Sequence, residues 1–422
     1  MNQITVDDLA APEISDRGLE ILAERAAIPI EFSLKGFLQF AEDASDVPIH
    51  RDDDFFQNLE RFLLEGDRRG GFSEAGKKLL AAECANLIVQ RSRLETLFRD
   101  HPEIAEVKIE APVVIAGIPR SGTTNLSNIM GSDSRLRALS FWESRTPFPS
   151  SDPNQNEQLS EEDRAELGRQ VMADIHALMP LSRLMYDISF ADAMEELCFM
   201  AMAGCPLMYM PQTYTPDWNH WFYNEMDPAK MYSLVKRSLQ ALNWLQGQDK
   251  RWVLKTPHHL GFLPALADEF PDAHLIVTHR DPASSTISNA TMNAYVLRET
   301  HTKPDPQHGF EVAIHMADGM IGGLVRDIDD IDMASVTHVH FHDYMADVMG
   351  TLESIYSAID LPLTDQARME LQAYIDAHPR GRHGGKLTYN PKRDFGVTRE
   401  QIRNRYQSYV DKFSIRIEED HA

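Results

Sequence analysis

The sequence is poor in cysteine and contains no long apolar run. Its 422 residues include three cysteines, Cys84, Cys198 and Cys205, which are widely spaced and form no CxxC pair. Disulfide frameworks and zinc sites need more closely grouped cysteines, so we predict neither. No segment approaches the roughly 20 consecutive apolar residues that span a bilayer, and the N-terminal stretch MNQITVDDLAAPEISDRG is acidic and polar. We therefore expect a cytoplasmic protein without a membrane span.

Positive charge is also scarce. The chain carries 41 Lys and Arg residues against 65 Asp and Glu residues, and its formal net charge at pH 7 is −24. Wrapping a nucleic acid backbone or lying on an anionic membrane requires a basic surface, which disfavours both kinds of partner. We expect a small-molecule substrate instead. The composition leaves open whether identical chains assemble into a homo-oligomer.

Helical periodicity characterises the first quarter of the chain. The segments ISDRGLEILAERAAI, FFQNLERFLLEGDR and AGKKLLAAECANLIVQRSRLETLF place apolar residues at three- and four-residue spacing, with charged residues between them. We predict an N-terminal helical extension over residues 1–105 and one larger domain over residues 106–422.

The pattern then changes to strands that alternate with helices. The runs VKIEAPVVIAGI, RWVLKTP, AHLIVTHRD and VTHVHFHDY are rich in β-branched residues, and a helix-like stretch follows each. This alternation predicts an α/β fold with a mostly parallel sheet flanked by helices. A helical insertion over about residues 143–247 is rich in Met and aromatic residues. These residues either fill the core, as flexible Met side chains often do, or line an apolar ligand pocket.

A glycine-bounded loop follows the first of these strands. In GIPRSGTT four residues separate Gly117 from Gly122, and the helix-like stretch NLSNIM comes next. Such a loop directs backbone N–H groups and a helix N-terminus at one anion. A nucleoside triphosphate loop has Lys at the position of Thr123 and an Asp that holds Mg²⁺. Here the cation is Arg120, inside the loop.

The absence of a lysine at position 123 bears on which anion the loop would bind. Asp281 could be proposed as the metal ligand, but it directly precedes Pro282, where helix capping is the simpler role. An anion with less charge than a triphosphate, such as a phosphosulfate, needs no metal. A Mg²⁺-dependent kinase or nucleotide hydrolase, and a non-catalytic nucleotide-binding protein, are the alternatives.

Two motifs together resemble one known family. PRSGTT resembles the 5′-phosphosulfate loop of sulfotransferases that use 3′-phosphoadenosine 5′-phosphosulfate (PAPS), in the variant of the tyrosylprotein and bacterial branches. LIVTHRDPASSTISNA contains an Arg and a Ser eight positions apart, like the 3′-phosphate site of that family. The stretches LRALSFWESRTPFP, RWVLKTPHHLGFLPALADEFPDAHLIVTHRDP and YNPKRDFGVTREQIRNRYQSYVDKF also resemble bacterial members, so the likeness covers about residues 111–413.

The resemblance implies a fold, a reaction and a set of binding residues. It implies a P-loop-like core and sulfuryl transfer from PAPS to a hydroxyl of a small, apolar or aromatic acceptor, without a metal. The resemblance implies that the phosphosulfate is held by the loop residues Arg120, Ser121, Gly122, Thr123 and Thr124. It implies that the 3′-phosphate is held by Arg280 and Ser288.

The resemblance leaves two candidates for the base that accepts the acceptor's proton. Cytosolic sulfotransferases use the His of a Lys-Thr-His strand end, but here Pro257 stands in that place, between Thr256 and His258. The tyrosylprotein branch uses a Glu shortly after the loop helix, which makes Glu143 the first candidate and His258 the second. Alternatively, Glu143 orients Arg145 or caps a helix. Lys255 is implied to contact the sulfuryl group, unless it is a solvated lysine at a strand end.

Two further groups of polar residues have open roles. HPRGRHGGKLTYN, with Arg380, Arg382, His383 and Lys386, loosely resembles the segment that closes over the 3′-phosphate, or it is an ordinary surface loop. His338, His340 and His342 alternate along THVHFHDY and would share one strand face. Buried or edge histidines are favoured over metal ligands because no acidic residue lies in phase with them.

Overall fold

The computed structural model describes residues 2–148, 161–186, 189, 191–379 and 382–419. Its strands are β1 Asn2–Thr5, β2 Val113–Gly117, β3 Leu136–Ala138, β4 Arg251–Lys255, β5 His274–His279, β6 Ser335–His340 and β7 Gly385–Thr388. Its helices are α1 Asp16–Ala26, α2 Leu34–Ala44, α3 Asp53–Arg69, α4 Glu74–Asp100, α5 Thr123–Gly131, α6 Phe141–Arg145, α7 Glu161–Leu178, α8 Ser182–Met185, α9 Leu197–Ala201, α10 Pro216–Asn224, α11 Pro228–Gln246, α12 Leu263–Glu269, α13 Pro282–Val296, α14 Pro306–Asp327, α15 Phe341–Ala346, α16 Val348–Ala358, α17 Asp365–Ala377, α18 Pro391–Phe395, α19 Arg399–Arg405 and α20 Gln407–Lys412. Short 3₁₀ helices cover Pro102–Glu106, Leu207–Gln212, Pro257–Gly261 and Leu297–Glu299.

A five-stranded sheet in the order β3-β4-β2-β5-β6 forms the centre of the molecule. All its strands run parallel, with Val113 of β2 opposite Val253 of β4 and His274 of β5. The four strands predicted from the sequence are therefore confirmed. Because the strands are parallel, the chain leaves β2, β4 and β5 at the same edge of the sheet, which is where ligands bind in open α/β sheets.

Both faces of the sheet are covered, as the predicted fold requires. Alternate residues of β2 point to opposite faces. Val113 and Ile115 pack with Leu126 of α5 and with α16. Val114 and Ala116 pack on the other face, in the largest core. Burial on both faces explains why β2 reads as one uninterrupted apolar run. The predicted mostly parallel sheet flanked by helices is confirmed.

The N-terminal extension packs directly against the α/β region. Helices α1 to α4 occupy it, and Phe37, Leu59 and Leu80 belong to the same core as Val114 and Leu254 of the sheet. Strand β1, which the helical pattern did not predict, pairs in parallel with β7. The N-terminus is thereby attached beside the chain segment that leads to Tyr389.

The Met- and aromatic-rich insertion contributes to the core. Met200, Met210, Trp218, Phe222 and Met231 are fully buried in the largest cluster. The core-packing interpretation is thus confirmed for these side chains. Within the described residues, no helix is both long and apolar enough to cross a membrane.

Candidate functional site

The loop between β2 and α5 is shaped by its own close contacts. A Cβ on Gly117 would lie 1.9 Å from the Oγ1 of Thr278, so only glycine fits there. The Oγ of Ser121 lies 2.6 Å from the carbonyl of Ile118 and 2.6 Å from the Oγ1 of Thr278. Ser121, expected among the anion ligands, therefore uses its hydroxyl to close the loop.

The turn into α5 leaves backbone N–H groups facing the loop. Gly122 is the N-cap residue, with φ of 95°, in the left-handed region that favours glycine. The N–H groups of the first helical turn, which includes Thr123 and Thr124, have no acceptor within the helix. Together with the positive end of the helix dipole, they suit an anion.

Arg120 joins the loop to α13. It has φ of 69°, a strained conformation for a residue with a side chain. Its Nε donates to the Oγ of Ser288 at 3.2 Å, and that hydroxyl donates to Tyr389 at 3.0 Å. Burial lowers the pKa of the Arg120 guanidinium. Arg280, in turn, donates from Nη1 to the main-chain carbonyl of Arg120 at 2.7 Å. The two sequence motifs thus meet in space.

The guanidinium of Arg280 has an anionic partner in the C-terminal tail. Its Nε and Nη2 donate to the two carboxylate oxygens of Glu418 at 2.6 and 3.1 Å, and the group lies 4.1 Å from the ring centre of Phe341. Such a two-pronged contact is the geometry with which Arg also binds phosphate.

Asp281 caps a helix, as the sequence suggested. Its Oδ1 accepts from the N–H of Ala283 at the start of α13, and Oδ2 accepts from Arg403 at 2.8 Å. The carboxylate is fully buried. Oδ2 also accepts from the N–H of Glu418 at 3.1 Å, so the carboxylate binds the start of α13, Arg403 and the C-terminal tail.

Lys255 ends β4 beside the loop, with a side chain that is 0% exposed. Its Nζ lies 3.4 Å from the Oγ1 of Thr124 and 2.8 Å from the Oε1 of Glu195. Burial acts to lower the pKa of Lys255, but Glu195, Tyr186 and Glu196 together outweigh that effect, and the net shift is upward. The solvated-lysine interpretation is therefore wrong.

Glu143, the first candidate for a base, uses both carboxylate oxygens in hydrogen bonds that hold local structure. It completes the capping box of α6 by accepting from the N–H and hydroxyl of Ser140. Its other oxygen accepts from Arg137 and Gln246, each at 2.7 Å. None of these partners belongs to the loop. The structure supports the helix-cap alternative, whereas Arg145 pairs with Glu83 rather than with Glu143.

His258, the second candidate, is held by an aromatic neighbour. Its Nδ1 lies 2.7 Å from the hydroxyl of Tyr223. Burial, and secondarily the proximity of His259, lowers the pKa of His258 to about 3. The imidazole is therefore neutral near pH 7 but a weak base. His259 pairs with the buried carboxylate of Glu196.

Glu195, Tyr389 and Glu418 contact the candidate site residues Lys255, Ser288 and Arg280, and the sequence analysis did not identify them. A signal existed for the first, since two adjacent glutamates in the apolar stretch MEELCFM would be costly to bury without partners. Tyr389 lies in the quoted tail motif, but no spacing rule connects it to Ser288. Glu418 lies far along the chain from Arg280, and no motif marks it.

The stretch HPRGRHGGKLTYN and the alternating histidines His338, His340 and His342 lie in different surroundings. Arg380 lies outside the described residues; Arg382 and His383 contact each other and are exposed, as is Lys386 on β7. The stretch reaches the site through the tyrosine that follows β7. Of the histidines, the Nδ1 of His338 lies 2.8 Å from the Nε2 of His279, and His340 stacks on the His279 ring. His342 is the second residue of α15 and lies near Glu418. Among the described residues, no group of three or more His, Cys, Asp or Glu side chains is arranged to hold a metal ion.

Comparison with known proteins gives a consistent result. A family model described as "Sulfotransferase family" matches residues 112–365. The solved structure of sulfotransferase STF9 from Mycobacterium avium is similar, with a TM-score of 0.79 and 23% identity over 92% of this chain and 99% of that one. STF1 from Mycobacterium tuberculosis H37Rv follows, with a TM-score of 0.73 and 24% identity over 89% and 98% of the two chains. Among the curated proteins, none matches.

Proposed function

The chain belongs to the sulfotransferase family, and we propose that it transfers a sulfuryl group from PAPS to a hydroxyl of a small molecule. The contact between two motifs 160 residues apart carries this proposal: Arg280 donates to the carbonyl of Arg120, and Arg120 donates to Ser288. A donor with phosphates at both ends of its ribose needs two anion sites held at a set separation. The hydrogen bonds between the loop after β2 and the segment from Arg280 into α13 hold two such sites at a fixed distance.

The residues present fit such a donor chemically. Arg120, Lys255 and Arg280 are cations gathered at one sheet edge, in a chain of net charge −24. The first-turn N–H groups of α5 and the hydroxyl of Thr124 add hydrogen-bonding groups at the same edge. We propose that Arg120, Lys255 and the loop from Gly122 to Thr124 hold the phosphosulfate. Arg280 and Ser288 hold the 3′-phosphate.

When bound, the donor supplies a sulfuryl group attached to a phosphate that can leave. Negative charge grows on the oxygen of the leaving phosphate, and fixed cations that face that oxygen lower the barrier. Arg120 and Lys255 are suited to this role because both are held in place before any ligand arrives, one by Ser288 and the other by Thr124 and Glu195. A buried setting strengthens each of these electrostatic interactions.

The kinase alternative receives less support. It requires an acidic side chain free to hold Mg²⁺, and Asp281, the residue proposed for this from the sequence, directs its carboxylate to Arg403 and to the start of α13. The acceptor is proposed to be a hydroxyl compound. The buried Met and aromatic side chains of the insertion give no separate support for an apolar one.

Calorimetric titration of the purified protein tests this proposal directly. The ligands are 3′-phosphoadenosine 5′-phosphate (PAP), ATP, and ATP with Mg²⁺. We expect micromolar affinity for PAP, at about −8 kcal/mol, and much weaker binding of the others. A preference for Mg²⁺-ATP would favour the kinase. PAP binding without label transfer from sulfur-labelled PAPS to any hydroxyl compound or to water would favour the non-catalytic alternative.

A further inference from the structure

Glu195 is brought to the loop by contacts of the residues just before it. The N–H of Ala193 donates to the Oδ1 of Asn128 on α5 at 2.6 Å, and the N–H of Met194 donates to the carbonyl of Leu139 at 2.7 Å. The chain before Glu195 is thus fixed to the helix that begins at the loop and to the segment after β3. These two hydrogen bonds position Glu195 beside the loop.

The side chain of Glu195 reaches the centre of the candidate site. Oε1 accepts from the Nζ of Lys255 at 2.8 Å, and Oε2 accepts from the hydroxyl of Thr256 at 3.3 Å. The same Nζ lies 3.4 Å from the Oγ1 of Thr124 in the loop. One ammonium group therefore separates the carboxylate from the first turn of α5.

Exposure distinguishes Glu195 from its neighbours. Its side chain is 19% exposed, whereas that of Lys255 is 0% and that of Glu143 is 6% exposed. A proton acceptor must be reachable by the hydroxyl of an incoming molecule. Glu195 is partly exposed, and it is linked to the loop through a single residue, Lys255.

We propose that Glu195 is the general base of the transfer reaction, an inference that rests on the proposed function. The acceptor oxygen forms a bond to sulfur while the bond between sulfur and the phosphate oxygen breaks. The electron pair of that bond stays on the phosphate, facing Arg120 and Lys255. The hydroxyl proton passes to the carboxylate of Glu195.

Lys255 links the two halves of this step. Without a ligand its ammonium is paired with Glu195. An anion at the loop gives the ammonium a second partner beside Thr124, which loosens its hold on Glu195 and leaves an oxygen open to the acceptor. Donor binding thus frees the carboxylate of Glu195 from Lys255, so that it can accept the proton of the acceptor hydroxyl.

The two candidates from the sequence are less suited to the task. Glu143 accepts hydrogen bonds from Ser140, Arg137 and Gln246, none of which is in the loop, and its side chain is only 6% exposed. His258 directs its Nδ1 to Tyr223, and burial makes its imidazole a weak base. Among the described residues, neither forms a hydrogen bond or ion pair with Lys255.

Acceptors of graded acidity test the proposal. Transfer of labelled sulfate from PAPS is measured for p-nitrophenol, phenol and an aliphatic alcohol, in the full-length protein and in Glu195→Gln and Glu195→Asp. A general base contributes about 10²–10⁴-fold. We expect a loss of that size in Glu195→Gln with phenol and the alcohol, and a much smaller loss with p-nitrophenol, which ionises without help. Glu195→Asp should retain part of the activity.

Matched variants and a binding measurement separate the outcomes. Glu353→Gln removes a surface carboxylate paired with Arg368 and should match the parent. Affinity for PAP should not fall in Glu195→Gln, because removing the carboxylate leaves the ammonium of Lys255 available to the anion. An equal loss with every acceptor, no loss, or an acidity-dependent loss in Glu143→Gln would each overturn the proposal. If no phenol is accepted, hydrolysis of PAPS by water is measured in the same variants. Glu195→Gln should lose about 10²-fold or more while Glu353→Gln retains the parent rate, and an undiminished rate in Glu195→Gln would overturn the proposal. A parent protein that neither binds PAP nor transfers sulfate would contradict the proposed function itself.

Discussion

The Nε of Arg120 donates to the hydroxyl of Ser288 at 3.2 Å, and this contact joins the loop after β2 to helix α13. Arg120 also has a positive φ of 69°, a backbone conformation whose cost the surrounding structure must offset. The two halves of the proposed anion site are consequently held together before a ligand binds. A preorganised site loses less free energy on binding than one that must assemble.

Replacement of Arg280 by Ala should weaken PAP binding by about 1.5–3 kcal/mol, the scale of charge-assisted hydrogen bonds. The change is measured by calorimetry. Arg405→Ala is a suitable control, because that residue also makes a two-pronged pair, with Asp318, but near the surface and on another element. Unchanged PAP affinity in Arg280→Ala would remove the 3′-phosphate assignment.

Replacement of Glu418 by Gln should strengthen PAP binding. In the structure its carboxylate occupies the guanidinium of Arg280, so a phosphate must displace it. Without that charge the affinity should rise about three- to tenfold, or up to about 1.4 kcal/mol. Glu419→Gln removes the same charge one residue further on and should have little effect. Equal or weaker binding in Glu418→Gln would mean that the tail does not compete with the ligand.

Replacement of Glu143 by Gln should chiefly reduce stability. The side chain is paired with the buried guanidinium of Arg137. A charge left without its partner in such a setting costs about 3–5 kcal/mol. Urea unfolding should show this loss, while PAP affinity, measured where the variant is folded, should stay near that of the parent. A stable variant whose transfer rate alone collapses would restore Glu143 as the base.

Stability should fall on acidification because several histidines are buried without charge. Burial, and secondarily the neighbouring His338 and His340, lowers the pKa of His279 to about 3, while an unfolded His has a pKa of about 6.5. The unfolded chain therefore binds the proton more readily. The free energy of unfolding is unaffected above about pH 6.5 and decreases from there towards about pH 3, by up to about 1.4 kcal/mol per pH unit for each such group.

Urea unfolding across this pH range measures that dependence. His279→Gln should remove the contribution of one buried histidine to the pH dependence of the unfolding free energy. His220→Gln, at an exposed position, should leave that pH dependence unchanged. His258 and His301 are expected to account for part of the remaining slope, since burial also lowers their pKa values, to about 3 and about 4. An unchanged slope in His279→Gln would contradict the assignment.

Strand prediction succeeded where the signal was local. The strands β2, β4, β5 and β6 are runs of β-branched residues, so their sequences alone predict them. Strand β3 has three residues and no such run. Strands β1 and β7 exist because each has the other as partner, more than 380 residues away along the chain. No local pattern encodes a partner at that distance.

The residues of the proposed anion site could largely be identified from the sequence, whereas the proposed base could not. Arg120, Thr124, Arg280 and Ser288 lie in short motifs whose spacing reflects a loop and one helix. Lys255 follows from the rule that parallel strands end at one edge of the sheet. The carboxylate nearest to these residues depends instead on the path of the long insertion between β3 and β4.

The sequence by itself determined the α/β order of elements, the loop, and the identity of the cations, because these depend on residues within one or two turns of each other. The tertiary structure decided which acids meet those cations. It pairs Glu195 with Lys255 and Glu418 with Arg280, and it uses Glu143 to cap α6. Such pairings arise from packing of elements distant in sequence, and burial then selects which charges need a partner.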